Sequence, residues 1–250
     1  MSEPKKYDPY ADLLKREDVD PAKVAPATPA ATLTLLRDGA SGVEVLMLRK
    51  NSEIRFGGMW VFPGGRVDPE DYPPDGDPTM AARNAAARES REEAGIEVNP
   101  EEFIWFSHWT PPPITPKRFT TWFFAAQAEG HHQVTIDGGE IHDHLWINPE
   151  VARTRHQAGE IDLVPPTWVT LHYLSGHASV AALLAHLRAQ PPQIYVTHLS
   201  KTPDGDRVTL WEGDAGYEAW DAGIPGPRHR LTMAKTGFIF DDSGCPRYQG

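Results

Sequence analysis

Apolar residues in this chain are grouped into short β-rich runs, which are separated by segments rich in glycine, proline and aspartate. The first two runs, ATLTLLR (31–37) and VEVLMLRK (43–50), are joined by DGASG, and this arrangement predicts a β-hairpin. Further strands are predicted near 59–62 and at 101–110, 118–128 and 144–148. The pattern therefore predicts a sheet in the first two thirds of the chain.

Helical signals lie between and after these runs. Asp77-Pro78 has the form of an N-cap followed by proline at the first helical position, and Gly95 is placed as a C-cap glycine, so a helix is predicted between them. Pro149 begins a shorter helix that extends to about Gln157. Two helices are then predicted at 165–176 and 177–190, followed by strands at 193–200, 207–213 and 229–240. The predicted fold class is α/β (α+β).

Composition and charge narrow the class of protein. The 250 residues are 40% hydrophobic, enough for one good core or one core with an appendage. The net charge of −11 argues against general nucleic-acid binding, which normally shows a basic surface. The single cysteine excludes an intramolecular disulfide framework, and the sequence has neither an 18-residue apolar run nor a signal-peptide core. We therefore expect a cytoplasmic protein that acts on small molecules and does not bind a membrane.

The segment RESREEAGI (88–96) contains the most specific chemistry. Glu89, Glu92 and Glu93 are spaced i, i+3 and i+4, so a helix would project them from nearly one face. Such carboxylates repel one another unless a cation holds them, and hard oxygen ligands suit Mg²⁺ or Mn²⁺. The alternative is a solvated acidic face. The same face continues backwards as alanines 82, 85 and 86, which favours close packing and hence the metal site.

Together with FPGG (62–65), this segment resembles the Nudix box, G-x5-E-x7-R-E-U-x-E-E-x-G-U, where U is bulky and apolar. Gly65 matches the opening glycine, and the second half of the box is matched by Arg88, Glu89, Glu92, Glu93, Gly95 and Ile96. The resemblance implies a mixed β-sheet sandwiched between helices. It also implies a loop–helix–loop that binds divalent metal, and cleavage of a small-molecule diphosphate by attack of water at phosphorus.

The chain departs from this box in two places. Arg88 follows Gly65 by 23 positions where the family spacing is 14, so nine residues are inserted. The first box glutamate, which pairs with the box arginine in the family, would fall at Asp71 counted forward or at Met80 counted back. Asp71 or Glu70 could replace it, or the role could be lost. The second departure is Ser90 at an apolar position, which should affect packing more than chemistry.

The resemblance also implies roles for individual residues. Glu89 and Glu93 would be the principal metal ligands, with Glu92 as a third and the backbone carbonyl of Gly65 as a further ligand. The attacking water would be oriented by a box glutamate, Glu92 or Glu93, or by one from a distant loop. The candidate on a distant loop is Glu140, for which simple solvent exposure is the alternative. Arg88 and Gly95 would be structural.

A diphosphate substrate needs positive charge, for which the candidates are Arg49, Arg55, Arg66 and Arg118. The stretch LMLRKNSEIRFGGMWVFPGG resembles, with shifted arginine spacing, the segment that precedes the box in Nudix enzymes cleaving coenzyme A. Coenzyme A or acyl-coenzyme A is therefore the favoured substrate class, and ADP-ribose and NADH are the alternatives. A Nudix-fold sensor that binds a nucleotide metabolite without cleaving it is the alternative of another class. The histidine pairs 131–132 and 142/144 lack the spacing of a transition-metal site.

The expected organisation is an N-terminal arm (1–30), a Nudix core (31–160) and a C-terminal extension (161–250) of helices and an added β element. That extension would pack either on the core or on a second subunit, and in the second case the protein would be a homodimer.

Overall fold

The computed structural model describes residues 24, 26–51, 57–113, 115, 117–128, 134–136 and 138–245. Within these residues, twelve strands and four helices are formed. The helices are α1 (Pro78–Ala94), α2 (Pro149–Gln157), α3 (Pro165–Leu174) and α4 (Val180–Ala189). The strands are β1 (Thr28–Gly39), β2 (Gly42–Lys50), β3 (Trp60–Val61), β4 (Gly64–Arg66), β5 (Ile104–Thr110), β6 (Phe119–Gln127), β7 (Ile141–Ile147), β8 (Gln193–Val196), β9 (His198–Lys201), β10 (Arg207–Leu210), β11 (Arg230–Ala234) and β12 (Gly237–Asp241).

The larger sheet is mixed. Its strands lie in the order β3-β2-β1-β6-β5-β8, with β4 paired to β1 and β7 paired to β2. The pairs β1–β6 and β5–β8 are parallel, and the other pairs are antiparallel. A smaller antiparallel sheet is formed by β9–β12 in the order β12-β11-β10-β9.

Helices pack on both faces of the larger sheet. On one face, leucines of β1 and β2 pack against the buried alanines of α1. On the other face, α2, α3 and α4 cover a larger core that includes Met47, Trp109 and Trp168. Because successive strand residues point to opposite faces, each of these central strands contributes to both cores. The expected mixed sheet between helices is confirmed.

Local sequence signals define α1 as predicted. The Asp77 side chain accepts a hydrogen bond from the Thr79 amide at 2.9 Å, and Pro78 occupies the first helical position. The helix ends at Gly95, whose φ of 67° lies in the left-handed region that glycine adopts without steric cost. These caps fix where the helix starts and stops, and hence which residues of its last turns reach the sheet.

The C-terminal extension differs from its prediction in two strand runs. The run 193–200 was predicted as one strand, but it is divided between the two sheets, with β8 extending the larger sheet and β9 the smaller one. The change occurs at Thr197, whose amide donates to Thr110 O and whose hydroxyl accepts from the Trp211 indole at 3.0 Å. The run 229–240 is likewise a hairpin, β11–β12, rather than one strand. A search of the described residues finds no helix that could span a membrane.

Candidate functional site

The last turns of α1 lie against the glycines of β4. Glu93 is buried, with 4% of its surface exposed, and its Oε2 accepts a hydrogen bond from the Gly64 amide at 2.9 Å. Its other oxygen, Oε1, lies 3.3 Å from the Lys50 ammonium. Strand β4 reaches this position because Gly64 and Gly65 pair with Thr32 and Ala31 of β1. The sheet and the helix together therefore fix the carboxylate.

Glu89, one helical turn earlier, lies directly over Gly65. A Cβ atom placed on Gly65 would come within 2.1 Å of Glu89 Oε1, a distance that real Cβ atoms do not reach. The glycine therefore allows the carboxylate to approach the backbone of β4 closely. This close approach brings the Gly65 peptide and two carboxylates to the same part of the site.

We expect Gly65→Ala to reduce turnover by about 100-fold, because the added methyl group would displace Glu89 by an ångström or more. The backbone of Gly65 lies outside the left-handed region, so the fold should be retained. Steady-state kinetics together with a thermal melt measure the two effects. Gly223→Ala provides a comparison, because Gly223 is exposed and its backbone also lies outside the left-handed region. The atom nearest to an added Cβ there is Asp221 Oδ1 at 3.1 Å, on an exposed side chain. A Gly65→Ala variant of wild-type activity would contradict this placement of Glu89.

Arg88 is held by Asp71 in a two-point ion pair. Its Nε and Nη2 donate to the two carboxylate oxygens of Asp71 at 3.1 and 3.0 Å, and Nη2 also donates to Arg66 O at 2.9 Å. Hydrogen bonding to Asp71 raises the pKa of Arg88, so the side chain stays charged. Asp71, only 6% exposed, closes a short 3₁₀ turn over Pro69–Asp71, whereas Glu70 is exposed. Of the alternatives left open by the sequence, Asp71 is therefore the partner of the box arginine.

Arg88 also orients two of the helix carboxylates. Its Nη1 donates to Glu89 Oε1 at 2.9 Å and to Glu92 Oε2 at 3.1 Å. Glu92 is half-exposed and shares Arg88 Nη1 with Glu89, but Glu89, Glu92 and Glu93 do not form a three-carboxylate group arranged to hold a metal ion. Ser90, the unusual box residue, is buried and donates to Ile96 O at 3.1 Å, which gives it the packing role expected.

The electrostatics of the site favour a bound cation. Burial raises the pKa of Glu93 to about 7, against an attraction from Lys50 that lowers it, and the neighbouring Glu89 raises it further. Burial also raises the pKa of Glu89, partly offset by Arg88. Burial therefore outweighs the attraction of Lys50 for Glu93 and of Arg88 for Glu89, and Arg88 is also shared with Asp71.

The donor atoms present fit a hard divalent ion. Among the described residues, no three His, Cys, Asp or Glu side chains already form a closed metal cluster. Glu89, Glu93 and the carbonyl of Gly65 would supply part of a coordination shell, and Mg²⁺ typically keeps several water ligands in such sites. The hard oxygen donors suit Mg²⁺ or Mn²⁺ rather than a softer metal.

Lys50 is a site residue that the sequence analysis did not identify. Its ammonium lies between Glu93 Oε1 and Glu140 Oε2, at 3.3 and 3.8 Å, so the structure brings the loop carboxylate Glu140 to the edge of the site. The alternation of inward-facing and outward-facing residues along β2 predicts the position of Lys50. Leu46 and Leu48 face the alanines of α1, and Lys50 is the next residue in that alternation.

Three of the four predicted arginines lie in the described part of the chain. Arg49 is exposed and pairs across the sheet with Trp60, and Arg118 donates to Pro111 O at 3.2 Å. Arg66 follows Gly65 and is exposed, with Asp68 as an ion-pair partner at 3.6 Å. Arg55 and the histidines 131–132 lie outside the described residues. His142 and His144 are exposed on β7.

Comparison with known proteins gives consistent matches. The model of the family described as NUDIX domain matches residues 27–166. The CTP pyrophosphohydrolase of Escherichia coli (strain K12) is 27% identical over 126 residues, which are 49% of this chain and 65% of that relative. A crystal structure of a NUDIX hydrolase from Alicyclobacillus acidocaldarius is 25% identical and has a TM-score of 0.59, covering 67% of this chain and 99% of the other.

Proposed function

Since this chain belongs to the Nudix hydrolase family, we propose that it hydrolyses the diphosphate linkage of a small nucleotide derivative, using Mg²⁺ or Mn²⁺ held at Glu89 and Glu93. The observation that supports this most is the pair of carboxylates over Gly64 and Gly65, of which Glu93 is buried and Glu89 partly buried. Burial raises the pKa of both groups, so their charged forms are poorly solvated and would be stabilised by a bound cation. A divalent cation bound there would also attract the polyanionic substrate.

In the proposed reaction, each group of the site has a different role. When bound, the metal supplies charge neutralisation at the diphosphate and activation of water. Glu93 is held for this task by the Gly64 amide, and Glu89 by Arg88. Glu140 is the proposed general base that accepts a proton from the attacking water, with Glu92 as the alternative. The new bond from water to phosphorus replaces the bridging P–O bond, and the leaving phosphate takes the electron pair.

We propose coenzyme A or acyl-coenzyme A as the substrate class, from the segment that precedes the box. Arg66, beside the glycine loop, and Arg49, Arg55 and Arg118 would supply charge to the anionic substrate. ADP-ribose and NADH are the alternatives, and the E. coli relative named for CTP pyrophosphohydrolysis adds nucleoside triphosphates to the compounds to test. We further propose that the enzyme is cytoplasmic and that it forms a homodimer through its C-terminal extension.

A product screen tests this assignment. Purified protein is incubated with Mg²⁺ or Mn²⁺ and coenzyme A, acyl-coenzyme A, ADP-ribose, NADH, CTP or diadenosine polyphosphates, and products are identified by mass spectrometry. Release of 3′,5′-ADP from coenzyme A would support the favoured substrate. Cleavage of the other compounds alone would keep the reaction and discard coenzyme A. A ligand that stabilises the protein but stays intact would favour the sensor.

Metal binding should depend on pH through Glu93, which must lose its proton to bind a cation. Because burial raises its pKa to about 7, we expect affinity to be about tenfold weaker at pH 6 than at pH 8. The metal-free fold should lose stability as pH rises from 4.5, the ordinary value, to about 7, because the unfolded chain releases this proton first.

Titration calorimetry in buffers of different ionisation enthalpy measures this linkage directly, since proton release at pH 6 adds the heat of buffer protonation. Glu93→Gln is the control, because it should show neither the binding heat nor the proton release. An affinity that is equal at pH 6 and pH 8 would contradict the role of Glu93 as a ligand.

A further inference from the structure

The end of β2 places one ammonium group between two carboxylates that come from different parts of the chain. Lys50 Nζ lies 3.3 Å from Glu93 Oε1 on α1 and 3.8 Å from Glu140 Oε2 on the loop before β7. The lysine side chain is 16% exposed, whereas that of Glu140 is 66% exposed. Lys50 is therefore directed inward to the helix, and the loop carboxylate approaches it from the solvent side.

Asn51, the residue after Lys50, binds the same loop to the end of β2 by two hydrogen bonds. The backbone amide of Asn51 donates to Glu140 O at 2.7 Å, and its side-chain amide donates to Gly139 O at 3.0 Å. The pairing of β2 with β7 shifts register between Arg49 and Lys50, where the loop joins the sheet. Such irregularities re-aim a side chain beside the strand. The loop is thus held so that Glu140 faces Lys50.

The two oxygens of Glu93 have different partners. Oε2 accepts from the Gly64 amide, and that bond can persist when a cation binds. Oε1 is in contact with Lys50, so a divalent ion using this oxygen would come close to an ammonium group. Two cations at such a separation repel strongly in a partly buried site. Lys50 and a metal would therefore compete for Glu93 Oε1.

We propose that Lys50 is the resident counter-cation of this site, which holds Glu93 and Glu140 together without metal and is displaced from Glu93 when a divalent ion binds. This inference rests on the proposed function only in requiring that a divalent metal binds at Glu93. The ammonium released from Glu93 stays close to Glu140, which is attached to the same strand end by Asn51. Lys50 thus acts as a positioning residue that couples metal binding to the Glu140 loop.

The test is the affinity for Mn²⁺ without substrate, measured at pH 8 by the paramagnetic resonance signal of the free ion. We expect Lys50→Met to bind Mn²⁺ on the order of tenfold more tightly than the wild type, because a competing charge is removed. Lys50→Arg keeps the charge and should bind like the wild type. Lys235→Met makes the same charge change on an exposed turn and should leave the affinity unchanged.

A second readout follows the loop itself. In the metal-free protein, amide hydrogen exchange at residues 138–140 should be faster in Lys50→Met than in the wild type, because one attachment of the loop is lost. Equal or weaker Mn²⁺ binding by Lys50→Met would overturn the proposal while leaving the hydrolase assignment intact. A wild type that binds no Mn²⁺ would overturn both, and the product screen would then show independently whether any diphosphate is cleaved.

Discussion

Glu93→Gln is expected to lower kcat by a factor on the order of 10³ or more without unfolding the protein. The amide oxygen of glutamine can still accept the Gly64 hydrogen bond, so the last turn of α1 should keep its position. The substitution removes the negative charge that would bind the cation, and this interaction contributes most in the transition state. Single-turnover kinetics at saturating Mg²⁺ would measure the loss.

Stability separates a catalytic effect from a folding defect. At pH 8 the metal-free wild type carries a buried carboxylate whose pKa is raised to about 7, so the neutral amide should melt at the same or a higher temperature. Mg²⁺ should raise the melting temperature of the wild type and not that of Glu93→Gln. Glu97→Gln, on an exposed residue beyond the helix, is the matched control and should behave as the wild type. Near-wild-type turnover in Glu93→Gln would refute the assignment of the site.

Arg88→Met should destabilise the fold by about 3 kcal/mol, because it leaves the buried carboxylate of Asp71 without its cation. Urea denaturation measures this change. In the double variant Asp71→Asn with Arg88→Met, the buried charge is absent, so the total loss should be smaller than the sum of the two single losses. A coupling of about 1–3 kcal/mol is expected for groups in direct contact.

Glu70→Ala is the control for this pair, because the sequence left Glu70 and Asp71 as alternatives. Glu70 is exposed, and its removal should change stability by less than about 0.5 kcal/mol. If Glu70→Ala and Asp71→Asn lowered the free energy of unfolding equally, the pairing of Arg88 with Asp71 would not stabilise the protein. Catalytic activity of the folded Arg88→Met variant would then report on the orientation of Glu89 and Glu92.

Local signals were sufficient to predict some parts of this structure. The bounds of α1 follow from Asp77, Pro78 and Gly95, which act through hydrogen bonds and backbone angles within a few residues. The burial of the alanine face follows from helical periodicity. These features depend on interactions between residues that are close in the sequence. The fold class was predicted from such features together with the resemblance to the Nudix box.

Other parts required the path of the chain in space. Asp71 and Glu70 are equivalent in sequence, and only the 3₁₀ turn directs one inward and the other to solvent. Lys50 was missed in favour of Arg49, although one step along a strand exchanges the two faces of the sheet. The division of 193–200 at Thr197 depends on partners far away in the sequence, Thr110 and Trp211, which β propensity does not report.

The inserted loop of the box has a practical consequence. At one end it is held by the ion pair between Asp71 and Arg88. At the other end it is held by the hydrogen bond with which the Asp77 side chain caps α1. Between these anchors the chain is largely exposed, and doubling the length of such a loop costs only about 0.6 kcal/mol. The number of residues separating the two halves of the box is therefore free to vary. A peptide epitope or a fluorescent label inserted after Pro74 would report on the protein without touching its chemistry.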